Sequence, residues 1–513
     1  MVIDNKPSHM KPLCNSVSED ARIAAQHARG KLTSLERINL LLDPNTFQEI
    51  AGLAHNHATN ANAPDTGNNP LAVITGSGKI NGRPVFLFSQ DFTIIGGTIS
   101  EAEGQKIAHL MDLALEYEAP VIGIYDSGGA RIQEGVTSLA GVGEILLRNT
   151  RCSGAIPQIA VVVGPSAGGS AYSPSLCDFV FTVKNVTQMY ITGPDVVKSV
   201  TNETISHQEL GGAEIHSQKS GVAHFIHDSE EECFRQVRRL LSFIPQSCNS
   251  KPQTVKTDDS PDRCDETLQT IVPDDPRKPY DMKKIISAVV DNGDFMEVQC
   301  KFARNIICGL ARLAGNSVGI VAQQPAILAG AIDINASVKA ARFVRFCDAF
   351  NIPLVSFVDV PGFMPGAEQE HGGIIRHGAK LIYAYAEATI PKLSVITRKA
   401  YGGAYIAMSS QHLRSDINYA WQGAIIAVMG AEAAVNIIFH KMLAESPTPE
   451  ETCQKLAREY SINFGNTLQA SKHGYIDGVI DPRQTRPMLI HAMETLHNKQ
   501  QKVPQKKHGN MPL

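Results

Sequence analysis

The chain has 513 residues, of which 43% are hydrophobic and 19% charged, and its net charge at pH 7 is −4. This length predicts two domains, and the near-neutral charge argues against a nucleic-acid or anionic-membrane partner. No apolar run approaches about eighteen residues, so we expect no membrane span. The N-terminus shows no signal or transit pattern, and the ten cysteines are scattered. We therefore expect a cytoplasmic protein with reduced thiols.

The N-terminal part of the chain predicts two helices followed by a strand hairpin. Apolar residues recur at helical spacing over residues 20–43, and Gly30 interrupts them, which predicts a second helix start. Residues 56–69 are rich in Asn, Ala and Pro and predict an exposed loop. Residues 71–78 and 84–89 predict two paired strands joined by a turn that contains Asn-Gly.

Strands and helices then alternate up to a glycine pair. Residues 99–120 have the spacing of an amphipathic helix, and the strand that follows ends at Asp126. A second helix is predicted over residues 138–149, and the apolar run opened by Ile156 predicts a further strand. This order of elements predicts a protein of the α/β class, with helices layered on a sheet.

The remaining segments complete the first half and introduce the second. Residues 179–192 predict a pair of strands, residues 211–221 a polar Gly-rich loop, and residues 230–243 a helix. Six prolines and runs of Asp, Ser and Lys mark residues 245–280 as a linker. After this linker we expect the order of elements in the first half to repeat.

The chain contains two copies of one pattern. Each copy has a strand that begins with Ile-Pro and ends in a Gly-Gly turn before a helix. The two copies align in register over these strands and over the region upstream of them. The aligned pairs are Lys106 with Lys339, Asp126 with Asp359, Gly129 with Gly362, Gly168 with Gly402, and Gly169 with Gly403. The sequence therefore predicts two domains related by internal duplication.

These glycine turns have the properties of an oxyanion-binding site. A strand-to-helix turn without Cβ atoms lets a ligand approach the backbone, and the first N–H groups of the helix have no intrahelical partner. An upstream strand in each copy also ends in a glycine turn, so one N–H from each turn can converge on one oxygen. A purely structural role is the alternative for a single Gly-Gly pair, but the repeat favours function. Two copies predict two oxyanion sites.

Four charged residues at repeated positions are expected to have structural roles. Lys106 and Lys339 lie on predicted helices, where we expect surface or interface charges. Asp126 and Asp359 end buried strands, so we expect their carboxylates to cap backbone N–H groups.

Three further candidates lie close to the turns. Arg131 can bind a ligand phosphate in bidentate fashion or form a structural ion pair, and both alternatives stay open. Glu134 is a weaker candidate for a direct acid–base role. Residues 368–371 are expected to form a solvated loop. The histidines have no ligand-like spacing, so we assign no metal site.

Five stretches of the sequence resemble the biotin-dependent acyl-CoA carboxyltransferases. They are residues 124–135, 191–203, 357–366, 372–380 and 398–405. Their order extends the resemblance over nearly the whole chain, and the family members that act on propionyl-CoA are the most similar.

The resemblance implies an α/β fold made of two tandem crotonase-like domains of the ββα superhelix type. It places the acyl-CoA side in residues 1–250, a linker in residues 251–279 and the biotin side in residues 280–513. It also implies a homo-oligomer, usually a hexamer, in which the first domain of one subunit faces the second domain of its neighbour.

The implied reaction moves a carboxyl group from N1′ of carboxybiotin to the α-carbon of propionyl-CoA, or also of acetyl-CoA. The implied site residues are Gly168 and Gly169 at the thioester oxygen, Gly403 and Ala404 at the biotin oxygen, Gly128, Gly129, Ala130 and Arg131 along acyl-CoA, Gly362 and Phe363 at the biotin-side turn, and Tyr172 and Ile406 at the acyl pocket. The position of Ile406 is usually Asp in propionyl-selective members, so we expect both short acyl-CoAs to be substrates.

The cofactor is expected on another chain or domain. The sequence has no Met-Lys-Met-like biotinyl site and no G-x-x-x-x-G-K-[ST] loop for ATP. We therefore expect a biotin carboxylase and biotin carboxyl carrier (α) subunit as partner, a coenzyme A thioester as substrate, and no metal. Two alternatives stay open: a subunit of methylmalonyl-CoA decarboxylase or transcarboxylase, and a non-catalytic CoA-binding assembly subunit.

Overall fold

The structure is a computed structural model, and it describes residues 19–52 and 71–512. The loop predicted over residues 56–69 falls outside these described residues. The helices are α1 (Glu19–His27), α2 (Ser34–Leu41), α3 (Glu101–Glu116), α4 (Val136–Cys152), α5 (Gly169–Leu176), α6 (Pro194–Thr201), α7 (His207–Gly211), α8 (Ala213–Ile215), α9 (Glu230–Leu241), α10 (Leu268–Ile271), α11 (Met282–Val289), α12 (Ile334–Ala349), α13 (Ala367–Gly372), α14 (Ile374–Glu387), α15 (Gly402–Ala407), α16 (Ala431–Ile438), α17 (His440–Glu445), α18 (Pro449–Phe464), α19 (Thr467–Lys472) and α20 (Thr485–Thr495).

Two eight-stranded sheets organise the fold. The first contains β1 (Gln48–Glu49), β2 (Val73–Ile80), β3 (Arg83–Gln90), β4 (Val121–Ser127), β5 (Gln158–Ala167), β6 (Phe179–Val183), β7 (Gln188–Tyr190) and β8 (Phe225–His227). The second contains β9 (Met296–Val298), β10 (Ile306–Leu313), β11 (Asn316–Gln323), β12 (Leu354–Val360), β13 (Lys392–Tyr401), β14 (Ile417–Trp421), β15 (Ile425–Ala427) and β16 (Gly478–Ile480).

The strand order is the same in both sheets. It is β1-β2-β3-β4-β5-β6-β8 in the first and β9-β10-β11-β12-β13-β14-β16 in the second. The remaining strands, β7 and β15, pair with the last parts of β5 and β13. This common topology confirms the predicted internal duplication and the α/β class.

Each sheet is antiparallel at one edge and parallel in its centre. The first three strands are antiparallel neighbours, whereas those from β3 to β8 run parallel. Central parallel strands are covered on both faces, which explains why β5 and β13 are buried along most of their length instead of alternating. Because parallel strands point the same way, the turns after β4 and β5 meet at one edge of the sheet.

The two halves pack against each other through a shared core. Phe179 of β6 and Phe346 of α12 meet edge to face, with ring centroids 4.6 Å apart. The Arg342 guanidinium on α12 donates to the Cys177 carbonyl oxygen at 2.6 Å. One hydrophobic cluster accordingly contains residues from both sheets.

Residues 179–192 form two strands, as predicted, but the prediction that these strands pair with each other is wrong. Both β6 and β7 form, but each pairs with β5 and not with the other. The ten residues of β5 are long enough for β6 to pair with the first part and β7 with the last. This arrangement places β7 directly beside the glycine turn.

Two predicted loops are helical. Residues 211–221 contain α8 and a π-helical turn, His216–Ser220. Gly211 is needed there for close packing, because an added Cβ would collide with the Met189 carbonyl oxygen. Residues 368–371 are largely exposed, as predicted, but they belong to the short helix α13.

Lys106 and Lys339 are buried, and the prediction of surface charges is wrong. The Lys106 ammonium donates to the Val73 carbonyl oxygen at 3.0 Å, and Lys339 donates to the Ile306 carbonyl oxygen at 2.9 Å. Burial lowers the pKa of both lysines. The two lysines therefore join α3 and α12 to the first residues of β2 and β10, a structural role that helical spacing does not reveal.

The described part of the chain contains no helix long and apolar enough to cross a membrane. It also holds no group of three or more His, Cys, Asp or Glu side chains placed to bind a metal ion. The nine cysteines within residues 19–52 and 71–512 are free thiols.

Candidate active site

Each central strand ends in a turn that requires glycine. Gly168 follows β5 with φ +60°, and Gly402 follows β13 with φ +58°. Residues with a Cβ atom rarely adopt this left-handed backbone. The helices α5 and α15 begin within these turns, at Gly169 and Gly402, and direct their first N–H groups away from the helix. The predicted glycine turns therefore exist in both halves with the same backbone geometry.

The first turn has one glycine N–H already in use. Gly168 donates its N–H to the Tyr190 carbonyl oxygen at 3.1 Å, because β7 lies beside the end of β5. Gly169 is the first residue of α5, where the helix offers no acceptor for its N–H. Of the two glycines expected at the thioester oxygen, Gly169 is thus placed to donate and Gly168 shapes the turn.

A second glycine turn lies beside each of these. After β4, Gly129 has φ +102°, and a Cβ added there would lie 2.8 Å from the Ala167 carbonyl oxygen at the end of β5. After β12, Gly362 has φ +150°. The next residues, Ala130 and Phe363, occupy equivalent isolated β-bridges in the two halves. In the first half the structure thus brings the two strand-ending turns into direct contact.

A cavity of about 630 Å³ opens at the start of α15. Gly402, Gly403 and Ile406 form one side of the cavity. Phe464 and residues 426–428 also line it. A helix start, which carries a partial positive charge, therefore faces a largely apolar space of small-molecule size.

Aromatic side chains border this cavity. A Cβ added to Gly403 would lie 4.0 Å from the Phe363 ring. Tyr405 is buried in the cavity wall, and its hydroxyl has no hydrogen-bond partner within the described residues. Burial and the nearby Tyr475 raise the pKa of Tyr405 to about 12, so this hydroxyl stays protonated at neutral pH. Ala404, at the same helix start, is fully buried.

Tyr172 and Ile406 hold equivalent positions in the first turns of α5 and α15. Tyr172 is 48% exposed and Ile406 is 39% exposed. Ile406 also lines the cavity beside Gly403. Neither side chain belongs to the core, so both are accessible to a ligand or to a neighbouring subunit.

Arg131 is engaged in structural contacts. Its buried guanidinium pairs with Glu103 at 2.6 Å and with Glu134 at 3.0 Å. The neighbouring Gly128 uses its N–H on the Gly96 carbonyl oxygen at 2.9 Å. Of the two alternatives for Arg131, the structure favours the ion pair, and this pair also occupies the Glu134 carboxylate.

Asp126 and Asp359 form ion pairs with basic side chains beneath the turns. Asp126 accepts hydrogen bonds from Lys31 Nζ at 2.6 Å and from Arg37 Nη1 at 2.9 Å. Asp359 accepts from Arg398 Nε at 2.9 Å and from one backbone N–H. The prediction of backbone capping is therefore wrong for Asp126 and holds only in part for Asp359.

Sequence reasoning missed these cations, although one of them left a signal. Arg37 lies on the same face of α2 as Ile38 and Leu41, and all three are buried. An arginine within an apolar helix face indicates a buried acidic partner, because a charge is rarely buried unpaired. Lys31 lies between two helices, where no periodicity could have identified it.

The duplicated sheets and the glycine turns at their strand ends define a tandem protein of the crotonase-fold class. The carboxyl transferase domain family matches residues 25–511 of the chain. The chain therefore belongs to the carboxyl transferase family, and it is a carboxyltransferase.

Known proteins share this sequence and fold over almost their full lengths. A propionyl-CoA carboxylase beta chain from Roseobacter denitrificans is 53% identical and covers 96% of each chain. The methylmalonyl-CoA decarboxylase subunit alpha of Veillonella parvula is 51% identical over the same shares. A crystal structure of transcarboxylase 12S, titled as a hexamer assembly with methylmalonyl-coenzyme A bound, superposes with a TM-score of 0.93. That structure is 47% identical and covers 96% of this chain and 94% of its own. The predicted family and enzyme class are confirmed.

Proposed function

We propose that this chain is the carboxyltransferase (β) subunit of a biotin-dependent acyl-CoA carboxylase. It transfers the carboxyl group of carboxybiotin to the α-carbon of propionyl-CoA, which yields methylmalonyl-CoA. The observation that carries this proposal is the repeated glycine turn, Gly168-Gly169 and Gly402-Gly403, with a helix start in each half. The propionyl-CoA carboxylase relative supports the choice of acyl group.

Two oxyanion sites match the demands of this reaction. When bound, carboxybiotin supplies the carboxyl group and a ureido nitrogen that can accept the α-proton. The N–H of Gly169 stabilises negative charge on the thioester oxygen, and the N–H groups of Gly403 and Ala404 stabilise it on the ureido oxygen. Removal of one such donor costs about 3 kcal/mol in well-studied oxyanion holes. Backbone groups on both sides can therefore supply much of the rate.

The cavity at the start of α15 fits the bicyclic head of biotin. Its volume of about 630 Å³ lies within the usual range for small-molecule sites, about 300–1,000 Å³. Ile406 and Ile426 offer apolar contact to the rings. Tyr405 also lines this cavity. The Phe363 ring lies near Gly403, which supports a biotin-side turn at Gly362-Phe363.

The protein is proposed to work as a hexamer with a separate biotin carboxylase and biotin carrier subunit. The transcarboxylase 12S relative is titled as a hexamer assembly. Exposed apolar side chains support association, since α4 presents Val136, Leu139 and Leu147, and α14 presents Ile375 and Ile382. In this arrangement the first domain of one subunit faces the second domain of its neighbour.

The two sheets support a division into two functional domains. Residues 1–250 form the acyl-CoA side and residues 280–513 the biotin side, joined by residues 251–279. The first sheet ends at His227 and the second begins at Met296, so no strand crosses this division. The free thiols of the described cysteines support a reducing, cytoplasmic location.

Transfer of the carboxyl group from methylmalonyl-CoA to free biotin tests the proposal without a partner chain. The purified protein should form propionyl-CoA at a rate that rises with biotin concentration until it saturates. Loss of the carboxyl group at a rate independent of biotin would contradict the proposal. A non-catalytic assembly subunit would bind the acyl-CoA in isothermal titration but form no product.

Acyl preference should depend on Ile406. We expect both propionyl-CoA and acetyl-CoA to be substrates, with propionyl-CoA preferred, because one methylene in an apolar pocket discriminates by about 1–3 kcal/mol. Ile406→Asp replaces an apolar wall with a charge and should change the ratio of the two kcat/KM values by about tenfold. Side-by-side kinetics with the biotin partner measure this ratio. Val255→Asp, at an exposed linker position, is the control, and an unchanged ratio in Ile406→Asp would exclude this residue from the acyl pocket.

A further inference from the structure

Two buried clusters of charge lie beneath the glycine turns, one in each half. We propose that each cluster positions one turn, independently of the other. The clusters are Arg398, Asp359 and Tyr280 for the biotin side, and Lys31, Arg37 and Asp126 for the acyl-CoA side. These are positioning residues because they hold the strand ends and not the reacting atoms. The catalytic consequence rests on the proposed function, whereas the positioning itself does not.

In the second half, Asp359 at the end of β12 reaches across to β13. Its side chain is fully buried and accepts from Arg398 Nε at 2.9 Å and from the Lys399 N–H at 3.2 Å. Both donors lie on β13 shortly before the turn at Gly402. The carboxylate thereby fixes the segment of β13 that leads into the helix start of α15.

The linker between the halves completes this cluster. Arg398 Nη1 donates to the Lys278 carbonyl oxygen at 2.9 Å, and the guanidinium lies 4.9 Å from the centre of the Tyr280 ring. The Tyr280 hydroxyl hydrogen-bonds to Thr397 Oγ1 at 3.0 Å, and Thr397 donates in turn to the Val358 carbonyl oxygen at 3.2 Å. The strand β13 is therefore held by β12, through Asp359, and by the linker, through Lys278 and Tyr280.

In the first half, the cations come from the N-terminal helices. Lys31, between α1 and α2, binds Asp126 at 2.6 Å, and Arg37 of α2 binds the same carboxylate at 2.9 Å. Arg37 also donates to the Val163 carbonyl oxygen of β5 at 3.1 Å. The Arg37 guanidinium also forms a bidentate ion pair with the carboxylate of Glu230, at the start of α9. The strand leading to Gly168 is thus held by α2 and, through the contact of Arg37 with Glu230, by α9.

The repeat explains why the two halves use different cations. Gly164 of β5 aligns with Arg398 of β13, so the first half has no arginine at this position. A Cβ added to Gly164 would collide with the Asp126 carboxylate and would lie 2.9 Å from Lys31 Nζ. Lys31 therefore occupies the space that a side chain at this position would need. In the first half, Lys31 and Arg37 near the N-terminus neutralise the buried carboxylate. In the second half, Arg398 on β13 has this role.

The two clusters share no residue, which makes their effects separable. Each contains a carboxylate that is costly to leave unpaired in a buried setting. Damage to one cluster should therefore loosen the turn above it and leave the other turn unchanged. Residues that only supported overall stability would loosen both turns together.

Hydrogen exchange followed by mass spectrometry compares the two turns directly. Arg398→Lys keeps the charge but loses the planar fork that reaches both Asp359 and Lys278. It should speed amide exchange in α15 by about tenfold and leave exchange in α5 within about twofold of wild type. Arg37→Lys should have the reverse effect. Arg304→Lys, at an exposed position, should change neither helix.

Catalysis gives a second readout of the same variants. Arg398→Lys should raise the KM for free biotin by about tenfold while the Kd of propionyl-CoA stays within about twofold. If a lysine variant does not fold, Tyr280→Phe and Lys31→Gln give the same comparison, because each changes the contacts of one cluster only. Equal loosening of both turns, or loosening of neither, would overturn the proposal. A wild-type protein without carboxyl transfer would refute the proposed function, and the exchange comparison would still decide the positioning.

Discussion

A Gly403→Val variant should fold normally and lose carboxyl transfer. Gly403 does not have a left-handed backbone, and within residues 19–52 and 71–512 a Cβ added to it would meet only the Phe363 ring, at 4.0 Å. The valine side chain can therefore enter the cavity of about 630 Å³ and exclude the ligand without distorting the fold. The N–H of residue 403 remains but no longer reaches the excluded ureido oxygen, and loss of that oxyanion contact should lower kcat by about 100-fold or more. The biotin-dependent methylmalonyl-CoA assay measures this change, and full activity with normal melting would remove Gly403 from the site.

The equivalent change in the first turn should also disturb packing. A Cβ added to Gly169 would lie 2.7 Å from Val142 Cγ1 on α4, so Gly169→Val requires α4 to shift. A matched variant, Gly169→Ala combined with Val142→Ala, removes this contact and leaves the helix start intact. The carboxyl-transfer activity of this double variant measures whether the thioester site accepts a side chain at residue 169. Val142→Ala alone is the control for changes in stability.

The purified chain should not carboxylate propionyl-CoA from ATP and bicarbonate. Its sequence has neither a Gly-rich ATP loop nor a biotinyl-lysine motif, so both functions fall to the partner subunit. Incorporation of labelled bicarbonate should stay at background with this chain alone and rise to full turnover when the biotin-bearing partner is added. The contrast is large because two of the three steps, activation of bicarbonate and its carriage on biotin, need the partner.

Two controls make this result interpretable. The partner alone should consume ATP without forming methylmalonyl-CoA, and the Gly403→Val chain mixed with the partner should remain inactive. A streptavidin blot should detect biotin on the partner only. Covalent biotin on this chain, or ATP-dependent carboxylation without the partner, would refute the division of roles.

Much of the fold could be predicted because burial and chain repetition leave direct traces in the sequence. The central strands β5 and β13 are covered on both faces, so they appear as apolar runs followed by glycine. The separate pairing of β6 and β7 with one long strand could not be predicted, since the apolar pattern does not specify a partner. The burial of Lys106 and Lys339 could not be predicted for a related reason. A lysine whose buried ammonium donates to backbone carbonyls has the same spacing along a helix as a surface lysine.

The candidate site was predicted in outline, and its electrostatic support was not. A glycine pair after a strand indicates a helix start open to a ligand, and both turns have that geometry. The use of the Gly168 N–H by Tyr190 depends on where β7 lies, which is a tertiary fact. The ion pairs of Asp126 depend on residues far away in the sequence, so the strand that carries Asp126 gives no sign of them.

A structure of the protein with propionyl-CoA and biotin bound would test the two-site account most directly. The account predicts that the thioester oxygen lies about 3 Å from the Gly169 nitrogen, the usual distance of an oxyanion donor. It predicts the same separation, about 3 Å, between the biotin ureido oxygen and the nitrogen of Gly403 or Ala404. A biotin oxygen bound away from the start of α15, or an acyl-CoA whose thioester lies away from the start of α5, would contradict it.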